Sequence, residues 1–248
     1  MIAWLGMYDP APLRPANDRF WTAIRDALGD GPRALSRDVE PWTAWQSPEL
    51  LLAQTCGLPY RSRLHDRVAL VGTPDYGLPD CPPGYYRSVF VVRADDRRAT
   101  LRDFAGARLA CNEGLSQSGW AAPMAHLAGV GARPGAIVFT GAHAASVRAV
   151  ATGQADCAGI DALTWEMLLR HDPVARELRV IAQTEPTPGL PYITAPAQDA
   201  ALLAERVAAA IGDLDAGDRH MLHIRGLVAI PAADYLSLPP PPPVPDAG

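Results

Sequence analysis

Arg108-Leu109-Ala110-Cys111-Asn112 is followed by Glu113-Gly114-Leu115-Ser116-Gln117-Ser118-Gly119, and then by a helical stretch that runs to Ala128. The first five residues are predicted to form a strand and residues 119–128 a helix, joined by a short polar link. Such a unit is the repeating element of an α/β fold. The link offers two hydroxyls and consecutive backbone N–H groups at a helix start. That terminus carries roughly half a positive charge and unpaired donors, which suits a tetrahedral anion without any lysine. Ser116 or Ser118 can equally serve as a simple helix cap.

The same alternation continues on both sides. Downstream, residues 136–140 read as a strand, 145–152 as a helix closed by Gly153, 155–160 as a strand, 162–170 as a helix and 179–183 as a strand. Upstream, residues 2–7 read as a strand. Phe20, Trp21, Ile24 and Leu28 mark one face of a helix entered at Asn17-Asp18 and stopped at Gly29. Ser47-Pro48-Glu49 looks like a helix start and predicts a helix through Leu50-Leu51-Leu52 to about Gly57. Strands are expected at 68–72 and 88–93, and a short helix at Thr100-Leu101-Arg102-Asp103. A last series has Tyr192-Ile193-Thr194, a helix at 199–211 and a strand at 227–230.

The middle series is bracketed by the strand near Val89 and the segment 184–190. This suggests a chain that leaves one lobe, builds another and returns. The expected division is 1–92 plus 188–248 for a discontinuous first lobe and 93–187 for the second, with 239–248 a stiff proline-rich tail.

Composition narrows the function. The 248 residues are 48% hydrophobic and 20% charged, ordinary values for a globular chain. A net charge of −5 argues against nucleic acid or an acidic membrane as the main partner, while one local pocket can still oppose it. All 22 basic residues are arginine, which removes lysine Schiff-base chemistry and a P-loop lysine. Cys56, Cys81, Cys111 and Cys157 form no metal-binding spacing, so neither a metal nor a cofactor is expected. Whether Cys56 and Cys81 pair is open. No run of about 18 apolar residues is present, so no membrane insertion is expected. The start, Met1-Ile2-Ala3-Trp4-Leu5, lacks a basic region and a long apolar region. The chain as it stands therefore reads as cytoplasmic, and as periplasmic if it is a mature exported protein.

In open α/β sheets, ligands bind beyond the carboxyl ends of strands. Tyr8-Asp9, the 113–119 link, Gly141-Ala142-His143-Ala144-Ala145-Ser146 and Asp161 all follow strands there. His143 and Ser146 form a second strand-to-helix junction, with a solvated histidine and a capping serine as the plain reading. Asp161 can cap the next helix, or accept a hydrogen bond from a protonated oxyanion or an amine. Trp42 and Trp45 are expected in packing rather than against a ligand. No G-x-S-x-G, H-E-x-x-H or Walker A motif is present, and no spacing fixes a catalytic triad.

These motifs together resemble the PhnD-like phosphate/phosphonate substrate-binding proteins of ABC transporters, of the type 2 periplasmic-binding fold. The carrying residues are Met7-Tyr8-Asp9, Gln54-Thr55-Cys56-Gly57 with Tyr60, and Tyr86-Arg87-Ser88 before Arg93-Ala94-Asp95. They continue with Ser116-Gln117-Ser118-Gly119, the stretch from Gly141-Ala142-His143 to Ser146, and Gly153-Gln154-Ala155-Asp156 before Ile160-Asp161. The resemblance implies two lobes, each a mostly parallel sheet flanked by helices, hinged about a ligand cleft. It implies that Ser116, Gln117, Ser118, Gly119, His143 and Ser146 bind the anion. Tyr8 and Tyr60 would close over it with Thr55, and Asp161 would read a non-anionic part. The chain departs from the pattern at Gln117, where a hydroxyl residue is usual, in its start and in its proline ending. The expectation is a non-catalytic, monomeric receptor for phosphate, phosphite or a phosphonate, delivering to an ABC permease or acting as a sensor. The rivals are a cytoplasmic enzyme on the same clamp acting on a small carboxylated metabolite, and an interaction module with the proline tail as ligand.

Overall fold

The computed structural model describes residues 1–244. In chain order the strands are β1 (Ile2–Trp4), β2 (Leu50–Gln54), β3 (Ala69–Asp75), β4 (Tyr85–Tyr86), β5 (Ser88–Arg93) and β6 (Arg108–Cys111). They continue with β7 (Ala136–Phe139), β8 (Cys157–Asp161), β9 (Leu178–Gln183), β10 (Thr187–Pro188), β11 (Tyr192–Thr194) and β12 (Gly226–Val228). The chain divides into two compact units, Met1–Tyr85 with Pro188–Ser237, and Tyr86–Thr187 with the tail from Leu238.

The first unit is a five-stranded sheet in the order β1-β2-β11-β3-β12. Its core joins Trp4, Trp45, Leu50, Ala53, Tyr60, Leu64, Ile193 and Tyr235. The helix Arg14–Leu28 buries Phe20, Trp21 and Ile24 and stops at Gly29, whose φ of 74° is the left-handed cap that glycine adopts without strain. Each of those side chains contributes about 1.5–3 kcal/mol of burial. The helix expected at 47–57 is not there. Leu50–Gln54 is instead β2, every residue of it buried. A strand covered on both faces is a continuous apolar run, so it shows no alternation to separate it from a buried helix. Trp42 and Trp45 stand edge to face at 5.1 Å, and the Trp45 indole donates to the Gln54 carbonyl at 3.0 Å. They pack, as expected.

The second unit is a five-stranded sheet in the order β7-β6-β8-β5-β9. β6 is parallel to both β7 and β8, whereas β5 runs antiparallel to β8 and β9. In the first unit β11 is likewise antiparallel to β2 and β3. Both sheets are thus mixed around a parallel majority: β1, β2 and β3 share one direction with β11 and β12 opposed, and β6, β7, β8 and β9 share one direction with β5 alone opposed. The sequence boundary at 92 places β5 in the first lobe. Its pairing with β8 and β9 seats it in the sheet of the second unit. The expected division also puts the tail with the first lobe, yet from Leu238 it groups with the second unit. Its portion beyond 244 lies outside the described residues. The core of this unit gathers Phe90, Val92, Leu101, Phe104, Leu109 and Leu127.

At one edge of the second unit Arg98 binds Asp96 through Nη2–Oδ2 at 2.6 Å and stacks over the Phe104 ring at 3.9 Å. The Arg98 side-chain bond holds the Asp96 carboxyl down at about 2. A carboxylate with a depressed folded-state pKa stabilises above its unfolded value near 3.9, and that stabilisation is lost as pH falls towards 2. Arg98→Ala is expected to cost about 0.5–1 kcal/mol at pH 7. Melting curves from pH 7 to 2 should show the gap to the parent protein closing below about pH 4; a gap independent of pH would assign the loss to the stacked side chain alone.

Candidate functional site

In the second unit, β6, β7 and β8 run parallel, so their carboxyl ends lie on one side of the sheet. Asn112, Thr140 and Asp161 stand at or just beyond those ends. After β6 the chain turns into the helix that opens as a wide turn at Gln117–Ala121 and continues as Ala122–Gly129. Ser116 is its cap, its hydroxyl accepting from the Gly119 amide at 2.9 Å. The simpler of its two sequence readings thus describes what its side chain does. The first-turn amide of Ser118 has no acceptor within its own helix. Ser88 donates its hydroxyl to the Ser118 carbonyl at 2.8 Å and fixes the loop from β5.

Ser118 is buried, and its hydroxyl lies 3.0 Å from Nε2 of His143. His143 opens the helix His143–Ala151 after β7. The two strand-to-helix junctions therefore meet through these side chains. Burial pushes the His143 ring down to about 4, so near neutral pH the imidazole is uncharged. Its Nδ1 is buried without a hydrogen-bond partner. Proton bookkeeping shows what the pair offers. A neutral imidazole has one N–H and the serine one O–H, and their mutual bond uses one of the two. If Nε2 donates, the Ser118 O–H is left to point outward; if the serine donates, Nδ1 carries the remaining proton. Either way the pair presents one neutral donor.

Ser146 lies in the first turn of its helix rather than at the cap. It is fully buried, its amide donates to the Ala142 carbonyl, and its hydroxyl shares a 2.7 Å hydrogen bond with Thr140. Thr140 also donates to the Cys111 carbonyl at 3.2 Å, which ties β7 to β6. Asp161 is buried and caps the helix Ala162–His171, accepting from the Thr164 amide at 2.8 Å.

Sequence reasoning gave Asn112 no role. Its backbone carbonyl accepts from Gly141 at 2.9 Å, and its Oδ1 is buried without a hydrogen-bond partner. It also presses on Gly119: a Cβ there would come within 1.8 Å of Oδ1. Asn112 thus touches both junctions. Its position directly after a strand was the available signal; the packing was not.

In the first unit, Thr55 follows β2, is fully buried, and has an Oγ1 without a hydrogen-bond partner. Tyr8 is buried and stands edge to face with Tyr76 at 5.2 Å. Tyr76 accepts from Gln54 Nε2 at 2.9 Å and bonds to the buried Tyr192, whose phenol burial pushes up. Gln54, Tyr76 and Tyr192 had no assigned role in the sequence. Tyr60 sits in the apolar core, 2% exposed and edge to face with Tyr235 at 5.2 Å. All four cysteines are free thiols. Among the described residues no cluster of His, Cys, Asp and Glu forms a metal site, and no helix is long and apolar enough to cross a membrane.

Against solved structures, the chain is similar to PhnD1 from Prochlorococcus marinus in complex with methylphosphonate. The TM-score is 0.72 at 16% identity, covering 94% of each chain. It is also similar to a binding-protein component of an ABC phosphonate transporter, PA3383 from Pseudomonas aeruginosa. There the TM-score is 0.67 at 16% identity, with 95% of this chain and 82% of that one covered. XAC2383 from Xanthomonas citri bound to ATP gives 0.66 at 17% identity, with 96% and 94% covered. These likenesses establish the type 2 periplasmic-binding fold. No curated protein sequence matches the chain. The model of the ABC-transporter phosphonate periplasmic substrate-binding proteins matches residues 52–235, well over half of the sequence. The chain belongs to that family of substrate-binding proteins.

Proposed function

We propose that this protein binds a small oxyanion of the phosphate, phosphite or phosphonate class without transforming it, and presents it to an ABC permease or a sensing partner. The observation that carries the reading is the 3.0 Å meeting of Ser118 and His143 from two neighbouring strand-to-helix junctions. First-turn amides and neutral donors can hold an anion by orientation alone, as helix N-termini do. Hydrogen bonds to a charged group contribute about 1.5–3 kcal/mol each. Four or five outweigh the cost of ordering ligand and loop and leave roughly the 8 kcal/mol of micromolar binding.

In this reading the Ser118 amide and the single donor that the Ser118–His143 pair presents contact the anion, with the Gln117 backbone beside them, while the Gly119 amide is taken by Ser116 and shapes the turn. Ser116 and Ser146 hold the two junctions in shape through Gly119 and Thr140. Asp161 disfavours a fully ionised ligand such as sulfate and suits one carrying a protonated oxygen or an amine. Tyr8 and Thr55 are assigned to the ligand by the family plan, and the unpartnered Thr55 hydroxyl supports that part. Tyr60 is given the lesser role of supporting Tyr8's unit, since its side chain is committed to the core. The family and the solved relatives are substrate-binding proteins, which speaks against the enzyme alternative.

A thermal-shift panel of phosphate, phosphite, methylphosphonate, 2-aminoethylphosphonate, sulfate and ATP tests the reading; ATP is included because XAC2383 is bound to it. One of the first four at about a hundred times its Kd should stabilise by about 2.7 kcal/mol, or about 5–10 °C. Sulfate should give no shift. Silence from the first four, or a response to ATP alone, would overturn the oxyanion reading.

A further inference from the structure

We propose that residues 238–244 form a strap that docks on the 113–120 loop of the second unit and holds that loop in its binding shape. Two contacts carry this. The Trp120 indole N–H donates to the Pro242 carbonyl at 3.2 Å. At the other end of the loop, Val244 lies against Gly114, where a Cβ would come within 2.4 Å of Val244 Cγ2. Gly114 and Trp120 flank Ser116-Gln117-Ser118-Gly119, so the tail touches both ends of the segment assigned to the anion.

The chemistry of the two sides matches. A proline run favours an extended helix with no internal hydrogen bonds, so its carbonyls point outward as ready acceptors. An indole beside a small residue is the kind of surface that receives such a strand. Prolines are already ordered, so docking costs little chain entropy. The strap lies on the surface and is not woven into the core: Trp120 is 1% exposed, while Val244 remains 44% exposed. A segment held this way can come off without unfolding the unit. Fixing Trp120 fixes the turn that presents Ser118, because only Gly119 separates them.

The test compares the full chain with one ending at Ser237 and with Gly114→Ala, which crowds Val244 but leaves Trp120 and the prolines in place. Amide hydrogen exchange is followed across 113–121 and, as an internal control, across β8. In both variants exchange over 113–121 should speed up by about tenfold while β8 keeps its protection. Unchanged exchange over 113–121 in both variants overturns the strap. A rise spread equally over β8 also overturns it, since the tail would then merely stabilise the whole unit. Should the shortened chain fail to fold, the Gly114→Ala comparison decides alone. A second arm measures methylphosphonate, phosphate and phosphite binding by calorimetry, with affinity expected to fall by about tenfold on truncation. Only this arm rests on the anion reading. If the full chain binds none of the three, that reading fails while the exchange arm still judges the strap.

Discussion

Ser118→Ala is expected to weaken oxyanion binding by about ten- to a hundredfold, the loss of one hydrogen bond to a charged group. His143→Ala should do the same. The empty protein should lose far less. Ser118 Oγ and His143 Nε2 satisfy each other at 3.0 Å, so removing either leaves one neutral partner unpaired. That costs about 1 kcal/mol, or about 2–4 °C in melting temperature. Neither side chain caps a helix: Ser116 caps the first, and the second has no side-chain cap. The double variant should lose less affinity than the sum of the singles, because the pair delivers one donor between them. Calorimetry with the responding oxyanion measures the affinity, and thermal melts of the empty proteins measure the stability. Equal losses in both quantities would make the two residues structural, and an unaltered Kd would remove them from the site.

The contrast between these residues and Ser146 shows what the sequence could reveal. Ser118 and His143 each stand at a strand-to-helix junction, and that position is readable from periodicity and punctuation alone. Their meeting is legible too, because β6 and β7 are sequence neighbours joined by one helix and pair in parallel. Ser146 has the same local signature. Its hydroxyl is nevertheless taken by Thr140, a partner that no pattern announces. Asn112 is the opposite case: its local signal is ordinary, and its importance comes from pressing on Gly119 across the turn.

The same division runs through the fold. The helix Arg14–Leu28 was legible because one of its faces is wet and Gly29 stops it. β2 was not, because burial on both faces erases the period and Ser47-Pro48-Glu49 imitates a helix start. The antiparallel strands β5 and β11 were expected as strands but not in those places. Pairing is a long-range choice, and β11 joins β2 across more than a hundred residues of chain. Tyr60 resembles a family motif residue in sequence, yet its environment is the core with Tyr235, which no one-dimensional pattern could distinguish from a cleft.

Gly159→Ala is the change expected to damage the empty protein most, and it separates support from contact. Gly159 lies in β8, opposite Phe90 of β5, with every residue of the strand buried. A Cβ there would come within 2.5 Å of Pro123 Cγ and 3.0 Å of its Cβ, with the Ser118 carbonyl 3.6 Å away. Pro123 cannot rotate aside, because its ring is closed on the helix backbone. The helix must therefore lift from the sheet as a body, and overpacking of this kind costs about 1–3 kcal/mol. In a chain of this size that is about 2–12 °C of melting temperature. Lifting the helix also moves the Ser118 carbonyl away from the Ser88 hydroxyl that fixes it. Binding should weaken as a consequence, through a displaced loop rather than a lost donor. Gly159→Ala should accordingly lower both melting temperature and affinity, where Ser118→Ala lowers chiefly the second. If Gly159→Ala melts like the parent protein, the close approach of β8 to Pro123 is not what sets the height of the anion loop.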